Sequence, residues 1–272
     1  MRLFFIGDIV GKPGRQICAQ ALPGLRRQQA IDLIVANAEN AAGGSGLTPP
    51  IFRELLAADI DGVTLGDHVY KRREIIPLLE SDQRIARPAN YTAEAPGPEV
   101  IVLTASNGIR VAVFTVLGRV FMPPVDCPFH AADRLLAALP GDVRVVLLDF
   151  HAEATSDKQI MGRYLDGRVT AVLGTHTHVV TADEQVLPGG TAFQCDVGMT
   201  GPHESILGRR IDRVMETTLT CRPTPFDVAA KDVRLHGTLV ELDPQTGRAS
   251  GIRRIEVNEE EARRLEGYCQ AR

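Results

Sequence analysis

The feature that most constrains this chain is a pattern met five times. A short apolar run stops at or near a small residue, and a carboxylate, amide or imidazole stands just beyond. Residues 3–6 are followed by Gly7 and Asp8, and residues 33–35 by Asn37, Ala38, Glu39 and Asn40. Residues 62–65 lead to Gly66, Asp67 and His68, residues 143–148 to Asp149, Phe150 and His151, and residues 171–174 to His176 and His178. Such runs are too short for helices and read as buried strands. Helical patterns follow the first three, from Pro13 toward Gln28, from Pro49 and Pro50, and across the segment KRREIIPLLE. Strand, loop and helix in repetition predict a parallel sheet, whose carboxyl ends lie on one edge, where α/β folds bind ligands. Groups remote in sequence therefore converge. A single carboxylate such as Asp8 is as readily a turn or helix-capping residue, but recurrence at strand ends favours a metal site.

The stretch AVLGTHTHVV, residues 171–180, is the sharpest of these endings, because it delivers two imidazoles one residue apart into a loop. His-x-His can serve neighbouring metals or two positions of one metal. Alone the pattern is short and has frequent chance matches, so polar loop residues would explain it equally well. The glycine-bearing loops after residues 3–6 and 33–35 match neither G-x-G-x-x-G nor the P-loop spacing, which argues against a Rossmann or P-loop nucleotide site.

The remaining sequence reads as β-structure around further helices. Asn107-Gly108 between residues 101–103 and 109–116 predicts a hairpin, since both turn positions accept positive φ. Pro188 to Gly190 mark a second hairpin and Pro244 to Gly247 a third, ahead of a charged terminal helix from about Asn258. The Pro-rich loop GRVFMPPVDCPF connects to a helix over residues 131–139. No linker or internal repeat divides the chain. The expected architecture is α/β, a four-layer α-β-β-α sandwich of two mixed sheets flanked by helices, in one domain over residues 1–272.

Composition limits the alternatives. The 272 residues carry 30 basic and 34 acidic side chains for a net charge of −4, which gives no global electrostatic reason to bind nucleic acid or anionic lipid. No apolar run approaches the roughly 18 residues of a membrane span, and the N-terminus enters a strand without a leader pattern, so a cytoplasmic protein is expected. Cys18, Cys127, Cys195, Cys221 and Cys269 are scattered, without a C-x-x-C pair. They fit a reducing compartment and, mostly, small core positions rather than a disulfide framework or thiolate zinc site.

Asp8, Glu39, Asn40, Asp67, His151, His176 and His178 form a mixed oxygen and imidazole set. Such a set suits Zn, Mn or Fe rather than an all-oxygen Ca site. Seven groups exceed the needs of one tetrahedral ion, and a carboxylate such as Glu39 can bridge two. Paired ions about 3.5–4 Å apart activate water and stabilise both oxygens of a displacement at phosphorus, which points to a two-metal hydrolase. No H-E-x-x-H helix is present, so a metallopeptidase or amidase fits less well.

These motifs resemble the calcineurin-like metallophosphoesterases, and within them the bacterial YmdB-type phosphodiesterases. The resemblance spans nearly the whole chain. It rests on FIGDIVGKPGR, ANAENAAGGSGLT, GDHVY, RPANY, DFHAEATSDKQIMG, GTHTHVVTADEQVLP and DVGMTGPHESILG. It implies a β-sandwich flanked by helices and two metals, Fe or Mn foremost and Zn as an option. Asp8, Glu39, Asn40 and His178 would hold one metal, and bridging Glu39, Asp67, His151 and His176 the other. His68 would be catalytic, protonating the leaving oxygen or stabilising the transition state. The implied substrates are 2′,3′-cyclic nucleotides and related phosphodiesters, with a link to RNA turnover. A metal-containing nucleotide- or RNA-binding regulatory protein with incidental hydrolysis is the alternative, and homo-oligomerisation is left open.

The chain departs from the pattern twice. Most of the superfamily has His two residues after the first Asp, where Val10 stands here, a place that Asn40 fills in the YmdB branch; and the family motif has Asn at the position of Asp67. His130 and His236 read as surface or packing residues. His203 is a possible cleft residue outside the site set. Arg119 is a candidate for a phosphate contact, and Thr155, Ser156 and Asp157 read as caps of the following helix.

Overall fold

The structure, a computed structural model, describes residues 1–270, with side chains through residue 267. The first half alternates as the apolar runs require. β1 (Arg2–Ile6) feeds α1 (Gly11–Gln29), β2 (Leu33–Asn37) feeds α2 (Pro49–Ala57), and β3 (Gly62–Thr64) leads through a 3₁₀ turn (Arg73–Ile75) into α3 (Ile76–Ser81) and then β4 (Ile85–Ala86). These four strands pair in parallel, in chain order. The KRREIIPLLE pattern is helical only from Arg73, because Arg72 is extended (φ −117°, ψ 103°). Its guanidinium reaches back to the Ser45 and Ala42 carbonyls at 3.3 and 3.4 Å.

The Asn107-Gly108 turn joins β5 (Val100–Thr104) to β6 (Arg110–Leu117) as an antiparallel hairpin. Gly108 takes φ 81°, and the Ile109 amide donates to Asn107 Oδ1 at 3.1 Å. After α4 (Pro128–Ala138) come β7 (Val145–His151), α5 (Thr155–Tyr164) and β8 (Ala171–Thr175), with β6, β7 and β8 parallel. β9 (Gln185–Val186) and β10 (Ala192–Gln194) form the second hairpin, with β10 parallel to β8. Then follow β11 (Gly201–Pro202), α6 (Ile211–Thr220), the third hairpin of β12 (Val233–Leu242) and β13 (Ala249–Asn258), and α7 (Glu259–Gln270). Asn258 caps α7, which starts at Glu259, close to the expected place. Its Oδ1 accepts from the amides of Glu260 and Glu261 at 3.0 and 2.9 Å, while Glu261 Oε2 accepts from the Asn258 amide at 3.0 Å, a reciprocal cap.

The described residues thus form two mixed sheets and seven α-helices. One sheet runs β11-β12-β1-β2-β3-β4 with β13 on β12, and the other β5-β6-β7-β8-β10-β9. Period-2 alternation sorts the side chains into three apolar layers. Phe4, Ile6 and Ile34 pack with Ile17, Leu22 and Leu25 of α1 on the outside of the first sheet. Leu3, Phe5, Leu33 and Val35 meet Val111, Val113, Val145 and Leu147 between the sheets. Phe114, Leu148 and Phe150 pack with Ala131 and Leu135 of α4 and Met161 of α5 on the far side. The layer order is α-β-β-α, as the sequence predicts. Among the described residues no helix is long and apolar enough to cross a membrane.

Some local expectations are corrected. Cys18 and Cys195 are buried, but Cys127 is only partly so and Cys221 is exposed, at the left-handed end of α6; Cys269 lies outside the described side chains. The residue before α5 is Ala154, without a side-chain cap, and the Asp157 carboxylate instead accepts from the Arg119 and Val120 amides at 3.4 Å. Capping by Thr155 to Asp157 is therefore not observed.

Candidate metal centre

The carboxyl ends of β1, β2, β3, β7 and β8 meet at one place between the sheets. One ligand atom from each of Glu39, Asp67, His151 and His176 lies within 4.8 Å of the others. Both carboxylates follow strands of the first sheet, while His151 ends β7 and His176 follows β8 in the second, so the cluster spans the sandwich. His151 Nε2 stands 3.1 Å from Asp67 Oδ1, 3.4 Å from Glu39 Oε1 and 3.0 Å from His176 Nδ1. Beside this set are Asp8, Asn40 and His178. Asn40 Nδ2 is 3.5 Å from Asp8 Oδ1, 3.2 Å from Glu39 Oε1 and 3.3 Å from His178 Nε2. A cation there would take the amide oxygen, which a half-turn of the amide brings inward. All seven expected residues are brought together, with Glu39 touching both groups. Asp8 is fully buried and gives no cap to α1, whose preceding residue is Val10.

The three histidines share one arrangement: one ring nitrogen is held from outside and the other faces the cluster. His151 Nδ1 meets Thr175 Oγ1 at 2.8 Å, and that hydroxyl donates to Asp149 Oδ1 at 2.6 Å. The hydroxyl's proton being used there, Nδ1–H is the donor to Thr175 and Nε2 is left for the cluster. His176 Nε2 is 3.2 Å from Glu153 Oε2, and its Nδ1 turns inward, 3.5 Å from Asp67 Oδ1. His178 Nδ1 donates to the Leu207 carbonyl at 3.2 Å, which leaves Nε2 toward Asn40 and, at 3.8 Å, Asp8. An outer partner that fixes the tautomer of a ligating imidazole is the usual support of a metal site.

The electrostatics call for positive charge. Burial would lower the His151 pKa, but the Glu39 charge, hydrogen bonds to Asp67 and Glu39, and the Asp8 charge hold it well above its ordinary value. Burial works against the Glu39 carboxylate too, yet His151 and then His68 outweigh it and its pKa lies low. The same holds for Asp67, where His151, His68 and His176 overcome burial. Asp8 goes the other way, because its complete burial outweighs His178 and His151. His176 is lowered to about 4, by burial first and by His151 second. Three carboxylates around a buried imidazole that would carry a proton are a donor set short of cations, and such a set fits divalent metals.

Space for the cluster is left by Gly66. A Cβ there would lie 2.3 Å from both Glu39 Oε2 and His151 Nε2. The loop after β8 is held in rare backbone geometry, with φ 93° at His176 and 65° at His178, conformations that non-glycine residues keep only when their surroundings impose them. Asp196 supplies that constraint. Its Oδ2 accepts from the Thr177 amide at 3.1 Å, Thr177 Oγ1 at 2.6 Å and buried Lys158 Nζ at 2.8 Å, while Asp8 Oδ2 accepts from the His176 amide at 3.0 Å.

Beneath the cluster, fully buried Asp149 ties the two sheets together. Asn37 Nδ2 and Thr64 Oγ1 of the first sheet donate to its Oδ2 at 2.9 and 2.6 Å, and Thr175 of the second donates to Oδ1. Burial raises its carboxyl to about 6 in spite of the His151 charge and these three hydrogen bonds. Sequence reasoning singled out neither Asp149, Thr175, Lys158 nor Asp196 for a role. Position at a strand end was the available signal for Asp149, as it was for His151.

His68 follows Asp67 at the rim of the cluster. Its amide donates to Glu39 Oε2 at 2.9 Å, and its Nδ1 is 2.7 Å from Asn40 Oδ1. It lines a cleft of about 350 Å³ together with Glu39, Asn40, Glu153, His176 and His178. Of the other candidates, His203 stacks on buried His236, ring centres 4.8 Å apart, away from this lining. His130 and Arg119 are exposed and also stand outside it.

A model of the YmdB-like protein family matches residues 4–255. The chain belongs to the YmdB-like family. It is 42% identical, over 96% of its own length and 98% of the relative's, to a 2′,3′-cyclic-nucleotide 2′-phosphodiesterase of Bacillus subtilis strain 168. A crystal structure of a protein from Thermus thermophilus, described only as hypothetical, superposes with a TM-score of 0.90 at 42% identity, covering 95% of this chain and 100% of that one. A phosphatase structure from Mycoplasma pneumoniae superposes with a TM-score of 0.88 at 29% identity, covering 95% and 93%. The resemblance carried by the motifs and the sandwich expected from the strand pattern both hold for this YmdB-like chain.

Proposed function

We propose that the protein is a dinuclear-metal phosphodiesterase acting on 2′,3′-cyclic nucleotides or related RNA-derived phosphodiesters, and that residues 1–272 work as one metallophosphoesterase domain. The observation that carries the reading is the convergence of Asp8, Glu39, Asn40, Asp67, His151, His176 and His178 at the cleft that His68 lines. The 42% identity to a cyclic-nucleotide phosphodiesterase supports the substrate class. In this reading Asp8, Glu39, Asn40 and His178 hold one ion, and Glu39, Asp67, His151 and His176 the other. The mixed oxygen and nitrogen donors suit Fe or Mn. When bound, the two ions supply an activated water and offset the charge on the phosphoryl oxygens.

The protein's own groups do the rest. His68 is fixed by its amide on Glu39 and by Nδ1 against the Asn40 amide, whose NH2 faces Nδ1 once its oxygen turns to a metal, so Nε2 is the atom that handles the proton of the leaving oxygen. Thr175, Glu153 and the Leu207 carbonyl keep His151, His176 and His178 in their tautomers. Lys158 and Asp196 hold the loop that carries two of these imidazoles.

The test is turnover by pure protein of a panel containing 2′,3′-cyclic AMP, bis(p-nitrophenyl) phosphate and p-nitrophenyl phosphate, before and after chelation and Mn²⁺ or Fe²⁺ return. Metal-dependent hydrolysis with diesters preferred is expected. Hydrolysis of the monoester alone, or none with metal bound, would refute it.

A further inference from the structure

The cleft has two chemically different sides. Glu39, Asn40, His68, His176 and His178 supply its polar lining, and Val10, Ile206, Leu207, Val214 and Phe226 supply an apolar wall. Ile206, Leu207 and Phe226 are 38%, 49% and 44% exposed, so apolar surface is open to water inside a concave site. Phosphoryl hydrolysis gives no reason for that surface. Apolar lining beside a few polar groups is how pockets receive the body of a ligand whose reactive end lies elsewhere.

The wall is anchored to the polar side. Arg209 donates to the Gly43 and Gly44 carbonyls, in the loop that follows Glu39 and Asn40, and to the Phe226 carbonyl. Leu207, at φ 50°, presents its carbonyl to His178 Nδ1. The segment that offers the apolar side chains therefore also fixes one of the site's imidazoles. Arg209 borders the wall with its guanidinium turned to backbone carbonyls, and the wall side chains have no polar atoms with which to read a base edge. At about 350 Å³ the cleft suits one nucleotide.

Resting on the phosphodiesterase reading, we propose that Ile206, Leu207, Val214 and Phe226 form a subsite for the nucleobase of a nucleoside phosphodiester, with Phe226 as its aromatic surface. The subsite selects for a flat base over no base and discriminates little among bases. Stacking on an aromatic side chain is tolerant of base identity because every base has a π face.

The experiment compares adenosine 2′,3′-cyclic phosphate with 1-O-methylribose 2′,3′-cyclic phosphate, which keeps the reacting group and lacks the base. Metal-loaded parent, Phe226→Ala and Ile206→Ser are used; both side chains are partly exposed, and each variant checks the other. The parent should favour the adenosine compound at least tenfold in kcat/KM. Phe226→Ala should lower that value about tenfold, mainly through KM, with the base-free compound and metal content unchanged. Equal use of both compounds by the parent, or an equal loss on both in the variants, would overturn the proposal. Calorimetric binding of adenosine 3′-monophosphate separates the two readings. Phe226-dependent binding without turnover of either diester would sink the hydrolytic reading and keep the subsite, whereas turnover without any Phe226 dependence would do the reverse.

Discussion

Replacing Gly66 by alanine adds one methyl group at the centre of the site. Gly66 is not among the residues at positive φ, so alanine meets no backbone penalty there and the effect comes from the Cβ alone. That atom would stand 2.3 Å from Glu39 Oε2, 2.3 Å from His151 Nε2 and 2.4 Å from His151 Cδ2. Relief to van der Waals distance asks for movement on the order of 1 Å, a misplacement that can cost about 10²-fold in turnover. The packing cost is about 1–3 kcal/mol, which a folded domain survives. Circular dichroism should report an intact fold with a modestly lower Tm. Elemental analysis after Mn²⁺ equilibration should show loss of the ion assigned to Glu39, Asp67, His151 and His176, and phosphodiester hydrolysis should fall about 10²-fold. A Gly66→Ala protein with parental metal content and rate would show that these atoms do not form a site that needs the space.

His68→Ala should retain both metals and lose about 10²-fold or more in phosphodiester turnover; an unchanged rate would remove His68 from the chemistry. Asp67→Asn removes a negative charge 3.1 Å from His151 Nε2 and restores an amide donor. It should bind Mn²⁺ less tightly yet hydrolyse a phosphodiester faster at neutral pH with metal saturating. A rate at or below the parent's across pH 6 to 9 would contradict the charge argument. Burial lifts the Asp149 carboxyl from 3.8 to about 6, so the native state takes up its proton more readily than the unfolded chain. That contribution is full below about pH 4 and gone above about pH 6, and it amounts to about 3 kcal/mol. With chelator present in both samples, the parent should therefore gain stability relative to Asp149→Asn as pH falls from 6.5 to 4. Parallel urea-denaturation profiles would refute it.

Strand-end position carried most of the site. Asp8, Glu39, Asp67, His151 and His176 were legible because each follows an apolar run, and a parallel sheet sends all such ends to one edge. The hairpins were legible for the same local reason, as at Asn107-Gly108, where the turn chemistry is written in two adjacent residues. Helix α6 was legible but passed over: Ile211, Val214, Met215 and Leu219 recur at helical spacing, yet none of its residues is buried in the fold. Asp196 with Lys158, and Asp149 with Thr175, were hidden for a different reason. These pairs are 38 and 26 residues apart in sequence and meet through the stacking of strands and helices, which residue spacing does not encode. The Leu207 carbonyl was beyond reach for a further reason: a backbone acceptor leaves no residue type to recognise.

Anomalous diffraction from crystals of the as-purified protein, at the Mn and Fe edges, tests the central claim most directly. The account predicts two peaks, one among Asp8, Glu39, Asn40 and His178 and one among Glu39, Asp67, His151 and His176, with Glu39 bound to both. A single peak that leaves either set empty at saturating metal, or no peak beside Glu39, would contradict it.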